Sequence, residues 1–107
     1  MSDTLNASTA GENISIIDVA NGFAVGLVNA GTGNVTLTAT NGGNITSQAG
    51  DAGVADVVGT SITLLVSGAG TLGNGGPLEI NATTSLTANT GGGKINITDT
   101  AGGLVVN

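Results

Sequence analysis

The sequence predicts an all-β chain, a right-handed parallel β-helix (β-solenoid) of about four coils with three short strands each. The first observation behind this is a repeated phrase. Residues 34–46, NVTLTATNGGNIT, form an alternating apolar/polar run, an Asn-Gly-Gly turn and a second run. The phrase returns over 61–72 and again over 85–98. A repeated strand-turn-strand unit implies stacked neighbours, each covering the apolar face of the next. The second observation is spacing. Ile14, Val35, Ile62 and Leu86, the first apolar residue of each coil, lie 21, 27 and 24 residues apart. A second column, Phe23, Ile45, Leu72 and Ile95, follows the first at offsets of 9, 10, 10 and 9 residues. Coil lengths vary while the offset holds, so the variation belongs to turns, where insertions cost little. The third observation is composition. Gly is 20 of 107 residues and Phe23 is the one aromatic, so the interior must be thin and aliphatic.

Taken in order, residues 1–11 read as a frayed lead-in and 12–107 as the repeat domain. The run at 14–19, ISIIDV, breaks strict alternation and calls for a bulge or bend. In the second coil Val35, Leu37 and Ala39 face inward, opposite Thr36, Thr38 and Thr40. Residues 48–59 read as an outward loop carrying Asp51 and Asp56. In the third coil Ile62, Leu64 and Val66 oppose Thr63, Leu65 and Ser67. Pro77 belongs at a strand start, where a missing donor is tolerated. In the fourth coil Ile95 and Ile97 oppose Asn96 and Thr98. A looser third column takes Leu27 or Val28, Val57 or Val58, Leu78 with Ile80, and Leu104 or Val106. Glycines, together with Asn41, Asn44 and Asn74, suit corners that need a positive φ. Helix is disfavoured throughout, because strong helix formers are nearly absent.

Charge excludes several functions. The net charge is −6 and Lys94 is the sole cation, so a phosphate backbone has nothing to bind and no nucleic-acid partner is expected. No run approaches a membrane span, and membrane insertion is not expected. A mean hydropathy of +0.37 with 7% charged residues is too apolar for intrinsic disorder. The first residues lack a basic and an apolar signal region, so the chain reads as a segment of a longer protein.

Catalysis is poorly supplied. There is no His, Cys, Tyr or Arg, so neither a Ser-His-Asp nor a Cys-His arrangement can form. The ionisable side chains are Asp3, Glu12, Asp18, Asp51, Asp56, Glu79, Asp99 and Lys94. They read as solvated turn charges, and the chain is not expected to be an enzyme. Asp51 and Asp56 are weak candidates for a Ca²⁺ site, since Ca²⁺ prefers oxygen ligands. The same pair would be the candidate carboxylates of the alternative reading, a carbohydrate-binding or carbohydrate-active β-helix. Otherwise no metal or cofactor is expected. Gly91-Gly92-Gly93-Lys94 lacks the spacing of a phosphate loop and reads as a tight turn. Six Asn-x-Ser/Thr sequons, at Asn6, Asn13, Asn34, Asn44, Asn81 and Asn96, follow from turn Asn residues preceding apolar-Thr alternation. The outward rows at Thr36, Thr38 and Thr40, then Thr63, Leu65 and Ser67, are too irregular for an ice-matching lattice.

The phrases GNVTLTATNGGNITSQAG, TSITLLVSGAGTLGNGGPLEINA and TSLTANTGGGKINITDTAGGL resemble the shaft of filamentous-haemagglutinin-type exoproteins, the large adhesins exported by two-partner secretion. The resemblance covers about residues 12–106 and does not include that family's amino-terminal secretion domain. It implies a long β-helix that is secreted or held at the bacterial cell surface, with adhesion or spacing as its task and a host glycan or protein as receptor. The expectation is therefore a structural shaft segment. Its stack would be carried by Val35, Leu37, Ile45, Ile62, Leu64, Leu72, Leu78, Ile80, Leu86, Ile95 and Ile97. No capping helix is visible, so coils of one copy are expected to pair with those of another, end to end, as a homo-oligomer or filament.

Overall fold

The computed structural model describes residues 4–48, 54–100 and 105–106. The chain is all-β, a solenoid of about four turns whose paired strands all run parallel, with no helix among the described residues. The strands are β1 (Thr4–Ser8), β2 (Ile14–Asp18), β3 (Gly22–Asn29), β4 (Val35–Ala39), β5 (Asn44–Ser47), β6 (Val57–Val66), β7 (Leu78–Thr90), β8 (Ile97–Asp99) and β9 (Val105–Val106). Corners are of two kinds. Some are tight turns, and others are bends inside a strand, so β6 and β7 each run continuously across two faces where separate short strands were expected.

The columns carry the architecture. Ile14 pairs with Val35, Val35 with Ile62, Ile62 with Leu86, and Leu86 with Val106. Phe23 pairs with Ile45, which bridges to Leu72, which bridges to Ile95. On this second face the strands shrink to single bridges, yet the backbone bonding persists. Ile45 N–H donates to Thr71 O at 3.0 Å and Leu72 N–H to Lys94 O at 2.9 Å. The third column is Ala7, Val28, Val57, Ile80 and Asp99. Both ladders of a parallel pair and the stacked side chains therefore reinforce one register, because a one-residue slip would turn every buried Leu and Ile to solvent.

Most of the expected core is buried. Val35, Leu37, Ile45, Ile62, Leu64, Leu72, Leu78, Ile80 and Leu86 are each at most 5% exposed. Ile97 is half-buried and packs on the core. Ile95 departs from expectation at 48% exposure: it lies beneath Leu72, but no described residue covers its other side.

Four further expectations need correcting. Thr4–Ser8 is not frayed but pairs with β3. The register skips at Gly26, and Asn6 Oδ1 compensates by accepting from Leu27 N–H at 3.0 Å. The irregular run in β2 needs no bulge, since all five residues pair in step with β4. The cost appears instead as outward apolar side chains, with Ile17 64% and Val19 66% exposed. In the third column Asp99, not Leu104 or Val106, follows Ile80; Val106 belongs to the first column, and Leu104 lies outside the described residues. Of the three Asn residues proposed for positive φ, only Asn41 has it, at 58°; Asn21, at 74°, is the other described case. Pro77 sits immediately before β7, as its lost donor requires.

Candidate functional site

Among the described residues the ionisable groups do not gather into a centre. Glu12 and Lys94 are exposed. Asp18 takes the inward position of Ala39 and Val66 at the end of β2, where its carboxylate accepts from Ala20 N–H at 3.5 Å and holds the turn into β3. Among the described residues no three acidic, His or Cys side chains cluster as a metal would need. Asp51 and Asp3 lie outside the described residues.

Asp56 is not on an outward loop. It is fully buried at the start of the chain's passage into β6. Its Oδ2 accepts from Glu79 N–H at 2.9 Å, its own N–H donates to Glu79 O, and its carbonyl accepts from Val28 N–H at 2.8 Å. Asp56 thus stitches three successive coils at one corner, and Glu79, 7% exposed, lies on the adjacent coil. A carboxylate with no exposure cannot meet a polysaccharide, so the position serves the fold. Asp56→Ala should cost about 1–3 kcal/mol, because it strips the buried Glu79 N–H of an acceptor. A urea titration followed by circular dichroism would show a lower midpoint at unchanged slope.

The extended surface is the outward side of β2, β4, β6 and β7. Here Ser15, Thr36, Thr63 and Thr87 stand in one column, in register across four coils. The neighbouring column is Ile17, Thr38, Leu65 and Asn89, which mixes apolar, hydroxyl and amide groups. One column is regular and the other is not, which keeps the face from presenting a uniform lattice. None of these eight side chains is charged. At the corner of this face a shallow recess of about 330 Å³ is lined by Thr38, Leu65, Val66, Ser67, Asn89 and Thr90. It offers hydrogen bonds and apolar contact but no group able to transfer a proton at neutral pH.

A second polar feature runs along the edge of that face. Asn13 Oδ1 accepts from Asn34 N–H at 2.8 Å, and Asn34 Oδ1 accepts from Ser61 N–H at 3.2 Å. Ser85 and Ser61 then share a hydroxyl bond at 3.2 Å. On the next face Asn44 Oδ1 accepts from Thr71 N–H at 2.8 Å. Four of the sequon asparagines, Asn6, Asn13, Asn34 and Asn44, therefore bond a neighbouring coil through their amide oxygen. The signal was present in the sequence, since Asn13 and Asn34 each stand one residue before the first apolar residue of a coil.

Fold and surface together define a β-solenoid with an uncharged outward face. Comparison with protein-family models, with curated proteins and with solved structures finds no match to the chain.

Proposed function

We propose that the chain is a non-catalytic shaft segment of a secreted bacterial surface adhesin or fibre, whose task is rigid extension. The observation that carries this reading is the in-register stacking of Ile14, Val35, Ile62 and Leu86 beside Phe23, Ile45, Leu72 and Ile95. Such a stack has no natural stopping length, because each coil presents the next with the same unpaired edge. The segment measures 30 × 26 × 23 Å, so four coils alone make no rod. Length comes from adding coils, at about 4.8 Å each. The resemblance of the repeated phrases to filamentous-haemagglutinin-type shafts supports the same reading. The uncharged Thr/Asn face is where a host glycan or protein receptor would lie.

Coils of one copy continue those of another. At the foot of the second column Ile95 is 48% exposed while Phe23, Ile45 and Leu72 are at most 3% exposed, so an apolar residue from a second copy would complete the column. Sedimentation velocity and electron microscopy across a concentration series test this. Dimers and longer rods growing along the solenoid axis are expected, and Ile95→Asp should suppress them without unfolding the chain. A strictly monomeric species at high concentration would overturn end-to-end association.

A further inference from the structure

The chain holds three Asn-Gly pairs, Asn21-Gly22, Asn41-Gly42 and Asn74-Gly75. Such a pair can age without an enzyme. The glycine nitrogen, giving its proton to solvent base, attacks the asparagine Cγ. Ammonia leaves and a five-membered succinimide remains. Water then opens the ring at either carbonyl, which yields Asp or isoaspartate. Two things must be free for this: the side-chain amide, which has to swing onto the backbone, and the following N–H, which has to be surrendered.

The fold withholds one of them from each of the first two pairs. Gly22 is buried at the start of β3, where its backbone packs against that of Asn44 on the next coil and its N–H lies near the Asp18 carboxylate. A neighbouring negative charge opposes loss of that proton. At the second pair, Asn41 Nδ2 donates to Val19 O at 2.6 Å and Asn41 N–H donates to Ser67 Oγ at 3.2 Å. The amide is therefore tied to one adjacent coil and the backbone to the other.

At Asn74-Gly75 neither is held by a hydrogen bond among the described residues. Asn74 and Gly75 are exposed, and the Asn74 side chain has no hydrogen-bond partner among the described residues. Nothing lies within 4 Å of where a Cβ would stand on Gly75 or Gly76, so the turn has room to change shape. Among the described residues the backbone is pinned only outside the pair, by Gly73 N–H to Ile45 O at 2.9 Å and Leu78 N–H to Asn96 O at 3.0 Å.

We propose that Asn74 is a built-in deamidation site, selected over Asn21 and Asn41 by the fold. Its conversion adds one negative charge, and in the isoaspartyl form one backbone carbon, to an outward turn. Leu72 and Leu78, the core residues on either side, keep their places.

The folded chain is aged in mildly alkaline buffer and mapped by mass spectrometry, with isoaspartate read by enzymatic methylation. A urea-denatured sample is the reference for sequence chemistry alone. In the folded chain Asn74 should convert at close to its denatured rate. Asn21 and Asn41 should lag by about tenfold or more, since their clamps must open first. The variant Asn74→Gln, whose side chain is exposed, should fold normally and lose most of the isoaspartate signal. Equal rates at the three sites in the folded chain would overturn the proposal. So would an intact Asn74 in a folded chain whose denatured form converts.

Discussion

Gly70→Ala should destabilise the solenoid by about 3 kcal/mol or more, a large share of the roughly 5–15 kcal/mol that holds a typical domain. The reason is close approach between coils. Residues 40–43 and 67–70 form tight turns one above the other, closed by Gly43 N–H to Thr40 O at 3.2 Å and Gly70 N–H to Ser67 O at 3.4 Å. A Cβ on Gly70 would drive into the backbone carbonyl of Gly43 and the Val66 side chain. Backbone cannot swing aside as a lysine tail can, so the two coils must part. Gly76→Ala is the matched control. Its φ is not positive and its Cβ would meet nothing within 4 Å, so the change should stay within about 0.5 kcal/mol. Urea unfolding of both variants, followed by circular dichroism, checks the contrast. Equal midpoints would mean the coils are not packed this closely.

Leu64→Ala should cost about 2–5 kcal/mol. Leu64 has no exposed surface, and it stacks between Leu37 on one coil and Ala88 on the next. Truncation leaves a cavity in a column one residue wide, where few neighbours can move in to fill it. Leu65→Ala, one residue along and on the outward face, should cost under about 1 kcal/mol. Adjacent leucines with such different costs are what two-residue periodicity requires. Thermal unfolding of the pair measures it, and similar losses would refute the inward and outward assignment.

How much of this was legible in the sequence depends on the residue. The first column was readable from Ile14 to Leu86 and the second from Phe23 to Ile95, because Ile, Val, Leu and Phe recur at a near-constant offset that turns of variable length cannot disturb; Val106, the next residue of the first column, was assigned to the third. The third column was readable only in its middle. Its last position holds Asp99, and a polar residue in an inward column is invisible to a search for apolar repeats. Asp56 was misplaced for the same reason: a carboxylate in a stretch that lengthens its coil reads as part of an outward loop until its bond to Glu79 N–H is seen. The strand at Thr4–Ser8 offers only Leu5 and Ala7 as apolar markers, and its existence depends on partners in β3 that lie 20 or 21 residues further along the chain. Ile17 shows the converse failure. Alternation demanded a bulge, yet regular backbone pairing with β4 outweighed the cost of leaving one apolar side chain in water.

The central claim is that like residues lie over like in parallel, in-register coils. Inter-strand nuclear Overhauser contacts of the isotopically labelled chain test it most directly. The claim predicts a ladder linking Ser15 to Thr36, Thr36 to Thr63 and Thr63 to Thr87, with Ile16, Leu37, Leu64 and Ala88 keeping step beside it. Contacts in which one partner's number falls as the other's rises, the mark of antiparallel neighbours, would contradict it.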